Sequence, residues 1–257
     1  MLVTTSYNPS EELQDKAIQT AAIWEGTFVP RGKDSLEKLR SRYGIISLLL
    51  VTEDEIRYYV DDQPAIFFHP SMAAVRVKRL LDGQTDLLLQ ASDVQEGDTV
   101  LDCTAGLASD SIVFSFAVGS KGQVTAIESE RIPALLIQEG LASYHSDIPG
   151  LNEAMRRVQV RHAEHVAYMQ SLEARSVDTV YFDPMFRSPI EESSSISPLR
   201  ELANSNAITF EALEQAKRIA RKSIVLKEKW NSGEFTRLGF EHVPRSNTKT
   251  TYGVIRL

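Results

Sequence analysis

Apolar runs that close on acidic residues recur through the middle of this chain. Val100-Leu101-Asp102 leads into the small-residue stretch Cys103-Thr104-Ala105-Gly106, and Val124-Thr125-Ala126-Ile127 closes on Glu128. An apolar run followed by a tight turn and helix-compatible sequence reads as strand, loop and helix N-terminus. Continued along the chain, the pattern predicts strands near 99–102, 123–128, 157–161, 177–183 and 223–227, with helices near 108–117, 131–144 and 210–220. Strands and helices in alternation indicate an α/β fold with a Rossmann-like, doubly wound sheet. Two further strands, near 240–243 and 251–257, are expected to form an antiparallel hairpin at the sheet edge.

The first 68 residues have their own pattern and are expected to form a small N-terminal α/β domain, with the larger domain spanning 69–257. Ser10 before Glu11-Glu12-Leu13 predicts a capped helix towards Trp24, and Asp34 or Ser35 starts a second one ending near Gly44. Residues 45–51 and 56–60 are strand-like and joined by Glu53-Asp54. The boundary lies at Phe67-Phe68-His69-Pro70-Ser71-Met72, where Pro70 disfavours helix at His69 and suits a helical start just after it.

At 257 residues the chain can bury a full core, and no apolar stretch is long enough to cross a membrane. Glu11, Glu12 and Asp15 interrupt the early residues, so no signal peptide is recognised and a cytoplasmic protein is expected. One cysteine, Cys103, excludes an intramolecular disulfide and reads as a small buried residue beside the turn. The formal net charge is −7, yet residues 200–257 hold eleven Lys and Arg against six Asp and Glu, so a local basic surface is compatible with nucleic acid.

The turn after Asp102 lacks the G-x-G-x-x-G fingerprint of dinucleotide sites, since Gly106 is its one glycine, with Ala105 and Ala108 as small neighbours. A pyrophosphate needs close backbone approach at several points, so this loop favours an adenosine-bearing cofactor without phosphates, which S-adenosylmethionine satisfies. Asp102, Thr104 and Gly106 would line its methionine side, and Glu128 is placed for ribose hydroxyls. Asp183-Pro184-Met185-Phe186 follows a later apolar strand, at the strand end where open α/β sheets bind ligands. Asp183, Pro184 and Phe186 are the candidate catalytic residues. Asp183 and a main-chain carbonyl can accept hydrogen bonds from an exocyclic NH2, and Phe186 offers a stacking face.

With these motifs in place the chain resembles the class I methyltransferases and, more narrowly, the RsmJ family of bacterial small-subunit rRNA guanine-N2 methyltransferases. The residues that carry the resemblance are Phe68-His69-Pro70-Ser71-Met72, Asp102 through Asp110, Glu128, His162-Ala163-Glu164 and Asp183-Pro184-Met185-Phe186. It covers roughly residues 68–257. By position it implies cofactor contacts at Ser109, Asp110, Glu128, Ser129, Glu164, His165 and Asp183, and RNA as partner, either 16S rRNA or the small ribosomal subunit. The chain departs from the family at Ala108-Ser109, where Gly-Arg is more usual, at Glu164, where a small hydroxyl residue is more usual, and after Phe186, where it has no Pro.

Two alternatives stay open: methyl transfer to a protein or small amine, in keeping with the acidic net charge, and a non-catalytic RNA-binding or ribosome-assembly factor of the same fold. His162, Glu164 and His165 lack a convincing further metal ligand, so no metal is expected. Glu191 through Ser195 read as a loop that substrate could order. Arg76, Lys78 and Arg79, the series Lys217, Arg218, Arg221 and Lys222, and the pair Lys227 and Lys229 read first as solvated charge and second as RNA-backbone contacts.

Overall fold

Hydrophobic alternation places the central strands of the main sheet between two cores. In a computed structural model that describes residues 1–184, 207–242 and 249–257, the chain divides into two compact units. The first comprises Met1–His69 with Leu135–Tyr144, and the second Pro70–Ala134 with His145–Leu257.

The first unit contains β1 (Leu2–Thr5), α1 (Glu11–Ile23), β2 (Thr27–Phe28), α2 (Leu36–Tyr43), β3 (Ser47–Val51), β4 (Ile56–Val60) and β5 (Ile66–Phe67). Its sheet order is β2-β1-β3-β4-β5, with β1 parallel to both neighbours and β3, β4 and β5 antiparallel in turn. Both helices begin on their expected caps: Ser10 Oγ accepts from the Leu13 amide and Ser35 Oγ from the Lys38 amide, each at 3.1 Å. Gly44 ends α2 in the left-handed conformation at φ 61°. Strand β1 is too short to show a period, and its two parallel pairings, not local propensity, bury it.

The second unit begins with α3 (Ser71–Leu81) and α4 (Leu87–Ser92). Then come β6 (Thr99–Asp102), α5 (Ser109–Val118), β7 (Gln123–Glu128) and α6 (Arg131–Ser143), whose last residues belong to the first unit. The chain continues through α7 (Leu151–Arg157), β8 (Val158–His162), α8 (His165–Ser171) and β9 (Val177–Phe182). Beyond residue 206 lie α9 (Phe210–Ile219), β10 (Ala220–Lys229), α10 (Glu234–Leu238), β11 (Glu241–His242) and β12 (Thr250–Arg256).

The seven strands run in the order β11-β12-β10-β9-β6-β7-β8. Strands β6 to β10 are parallel, and β12 pairs antiparallel with both β10 and β11, as the expected edge hairpin requires. The fold is therefore the Rossmann-like one anticipated. Alternate residues feed opposite faces: Leu101, Val180, Phe182, Ile224 and Leu226 enter one core, and Val100, Tyr181 and Val225 the other. The chain runs outward from β6 through β7 to β8, then returns to β9 on the other side of β6. That reversal makes the carboxyl ends of β6 and β9 the topological switch point, where such sheets open a crevice.

Candidate active site

Asp102 ends β6 with its carboxyl buried, Oδ1 accepting from the Thr104 amide at 3.1 Å and Oδ2 from the Ser111 hydroxyl at 2.5 Å. Burial pushes this carboxyl up to about 7, against the lowering effect of those two donors. The following residues stay tied to the sheet, as the Cys103 amide donates to Tyr181 O and the Ala105 amide to Ile127 O, both at 2.9 Å. The Cys103 thiol is buried against Met169 Sδ at 3.9 Å, and burial raises its pKa well above the ordinary thiol value, as a packing residue requires and a nucleophile does not.

Gly106 turns the loop at φ 55°, a conformation in which side chains are strained, and a Cβ there would meet nothing within 4 Å. Open space thus lies over the turn. The Gly106 amide donates to Glu128 Oε2 at 3.1 Å and the Glu130 amide to Glu128 Oε1 at 3.0 Å. Burial holds the Glu128 carboxyl above its ordinary value despite these two donors. Ala108 adopts φ 58° at the N-cap of α5, a left-handed conformation in which glycine fits without strain. Ser109 Oγ accepts from the Ala73 amide at 3.2 Å, so it joins α5 to the first turn of α3.

At the end of β8, Glu164 caps α8, accepting from the Ala167 amide at 2.9 Å and lying 3.2 Å from His165 Nδ1. Burial raises the Glu164 carboxyl, but the Ala167 and Val166 amides outweigh it and leave the group below its usual range. Burial lowers the His165 imidazole, which meets the Phe182 ring edge-on at 6.0 Å. The Ser129 carbonyl lies 3.0 Å from His162 Nε2, fixing the neighbouring loop.

Asp183 follows β9, and its amide donates to Thr104 Oγ1 at 2.5 Å. Lys227 Nζ, from β10, lies 2.7 Å from Asp183 Oδ2 and 3.0 Å from Asp110 Oδ2. Asp110 also receives the Tyr181 hydroxyl at 2.7 Å and pairs with Arg76, which engages both oxygens of Asp86 at 2.7 and 2.8 Å. Burial pushes Asp110 up, but Lys227 and Arg76 outweigh it and hold the carboxyl well below the usual range. For Asp183, burial prevails over Lys227, and the carboxyl stands above its ordinary value. Pro184 is described with Asp183; Met185, Phe186 and Glu191 through Ser195 lie outside the described residues.

The structure thus brings Asp102, Glu128, Glu164 and Asp183 to the carboxyl ends of four adjacent parallel strands, β6, β7, β8 and β9. Sequence reasoning missed Lys227 and Arg76 as members of this site. Arg76 is neither solvated nor free for RNA but closes an internal ion pair, while Lys78 and Arg79 on the same helix are exposed. The other basic series is also corrected in part. Arg218 donates to the carbonyls of Leu172 and Met169, Arg221 pairs with Asp178 at 2.9 Å and Lys222 with Asp98 at 2.5 Å. Those pairs lie at the amino ends of β10, β9 and β6, opposite the candidate site.

The residues at this edge fit S-adenosylmethionine. The space above Gly106 admits a ligand close to backbone, the loop offers no phosphate cradle, and Glu128 is a carboxylate suited to hydroxyl donors.

Comparisons with known proteins agree with this chemistry. A family profile described as "Putative SAM-dependent methyltransferase" matches residues 37–237. The Bacillus subtilis (strain 168) protein YpiP is 40% identical over 255 residues, covering 99% of each chain. Ribosomal RNA small subunit methyltransferase J of Aliivibrio fischeri (strain MJ11) is 28% identical over 189 residues, covering 67% of this chain and 72% of that protein. Alignments with proteins of the same name from Acinetobacter baumannii span 36% and 55% of their length. Among solved structures, a SAM-dependent methyltransferase from Neisseria gonorrhoeae shares the fold with a TM-score of 0.63 at 18% identity, covering 100% of this chain and 96% of that one.

Proposed function

The chain belongs to the SAM-dependent methyltransferase family, and from that premise we propose that it methylates the exocyclic N2 amine of a guanine in RNA, with small-subunit ribosomal RNA as substrate. S-adenosylmethionine is its cofactor and, when bound, supplies an electrophilic methyl group on a sulfonium. In this reading Asp102, Thr104, Gly106, Ser109 and Asp110 line the methionine side, while Glu128, Ser129, Glu164 and His165 line the adenosine side.

The observation that carries the reading is the placement of Asp183. Its amide is anchored on Thr104, and one carboxylate oxygen is held by Lys227 at the carboxyl end of β9, beside the Gly106 turn. Such a carboxylate accepts a hydrogen bond from an amine N–H and so aims the nitrogen lone pair. The Pro184 main chain adds a second acceptor, and Phe186 offers the ring on which a flipped base stacks. Alignment of nucleophile, methyl carbon and sulfur then supplies most of the acceleration, with the proton leaving after transfer. The ribosomal RNA methyltransferases among the relatives support RNA as the substrate class.

Replacing Asp183 with Ala tests this assignment. Transfer of labelled methyl from S-adenosylmethionine to rRNA should fall at least about 100-fold, with the circular dichroism spectrum retained. Undiminished transfer would refute the role given to Asp183.

A further inference from the structure

The ammonium of Lys227 lies between two carboxylates, Asp110 and Asp183. We infer that Lys227 is a positioning residue for methyl transfer: it holds Asp183 as an anion in one orientation and leaves Oδ1 as the acceptor presented to the incoming amine. The inference rests on the reading of Asp183 given above.

Geometry supports it in three steps. First, the charges alternate from contact to contact, Asp86, Arg76, Asp110, Lys227 and Asp183, so each cation contacts two carboxylates. Second, Asp110 is fixed independently of Lys227: Arg76 takes Oδ1 and the Tyr181 hydroxyl donates to Oδ2 at 2.7 Å. Lys227 therefore has a rigid anchor on Asp110, and from that anchor its ammonium reaches Asp183 Oδ2 at 2.7 Å. Third, Lys227 takes one oxygen of the Asp183 side chain, Oδ2, while Thr104 takes the Asp183 amide. With the backbone of Asp183 pinned by Thr104 and Oδ2 taken by Lys227, one oxygen is left for substrate.

Lys227 is not itself a base for the transfer. Burial pulls its ammonium towards neutrality, but Asp110 and Asp183 outweigh burial and keep it charged well beyond the ordinary range. The charged and titratable groups facing this pair are Asp110 from α5, Arg76 from α3, Asp102 from β6, Tyr181 from β9, and Tyr252 from β12, with Glu228 adjacent on β10. Because burial and Asp110 already raise the Asp183 carboxyl, losing the Lys227 charge raises it further. The carboxylate then protonates at a higher pH and becomes a weaker acceptor.

The test compares Lys227→Met, which removes the charge at similar volume, with Lys227→Arg, which keeps it. Near neutral pH, Lys227→Met should lose about 100-fold in kcat while KM for S-adenosylmethionine changes less than about threefold, with part of the loss recovered as pH rises. Lys227→Arg should keep the wild-type pH profile. A second readout needs no substrate: 13C NMR titration of the Asp183 carboxyl, assigned by its loss in Asp183→Asn, should move up by at least about one pH unit in Lys227→Met. An unmoved titration, or a wild-type rate in Lys227→Met, overturns the inference; if that variant does not fold, Lys227→Gln undergoes the same comparison. A wild-type protein that binds S-adenosylmethionine yet methylates no RNA would contradict the substrate reading, and the titration would still decide the role of Lys227.

Discussion

Thr104 Oγ1 accepts the Asp183 amide at 2.5 Å and so joins two strand ends that lie 79 residues apart in sequence. This single bond couples the loop beneath the open space at Gly106 to the carboxylate assigned to orient the substrate. Replacing Thr104 with Val keeps the shape and leaves the amide without its acceptor, a change that costs about 1–3 kcal/mol at a partly buried site. Lower urea stability, weaker S-adenosylmethionine binding by calorimetry and slower transfer are expected together, with Thr104→Ser restoring most of each. Wild-type behaviour of Thr104→Val in all three would show that the contact couples nothing.

The buried carboxyl of Asp102, pushed up to about 7, makes a pH prediction with a definite sign. Its unfolded value is 3.8, so between these values the folded protein holds a proton that the unfolded chain has released. Its stabilising contribution is complete below about 3.8 and is lost as pH rises through about 7. The unfolding free energy from urea titrations should therefore fall from pH 5 to pH 8 by an amount on the order of 2–4 kcal/mol from this group. Glu128 and Asp183, also raised by burial, contribute with the same sign, so the comparison with Asp102→Asn isolates the share of Asp102. Equal slopes in wild type and Asp102→Asn would refute it.

Arg221 and Lys222 are satisfied by Asp178 and Asp98 at the amino ends of the parallel strands, away from the Asp102, Glu128 and Asp183 edge. Replacing both with Ala should leave rRNA affinity and its salt dependence unchanged in filter-binding titrations. A drop in the salt slope of about one per residue would instead place the RNA backbone on that end of the sheet.

The parts of this molecule that follow local rules were readable before any coordinates. Strand β7 occupies the expected 123–128, and Ser10, Ser35 and Gly44 take their capping positions, because period and cap chemistry act within a few residues. The acid-tipped strand ends were legible for the same reason. Helices α4, α7 and α8 were not, since each has only six or seven residues and too few turns to show a face. Lys227 and Arg76 escaped for a different reason. Their partner Asp110 lies 117 and 34 residues away in sequence, and a lone charge in a sequence gives no sign of the partner that folding brings to it. An inward Lys in the otherwise apolar Ile224-Val225-Leu226-Lys227 run was the available hint.

The central claim is most directly tested by mass spectrometry of small-subunit rRNA nucleosides from cells with and without this protein. The account predicts that N2-methylguanosine is lost from one site in its absence and returns with the wild-type chain but not with Asp183→Ala. An unchanged N2-methylguanosine content in cells lacking the protein, or restoration of the mark by Asp183→Ala, would contradict it.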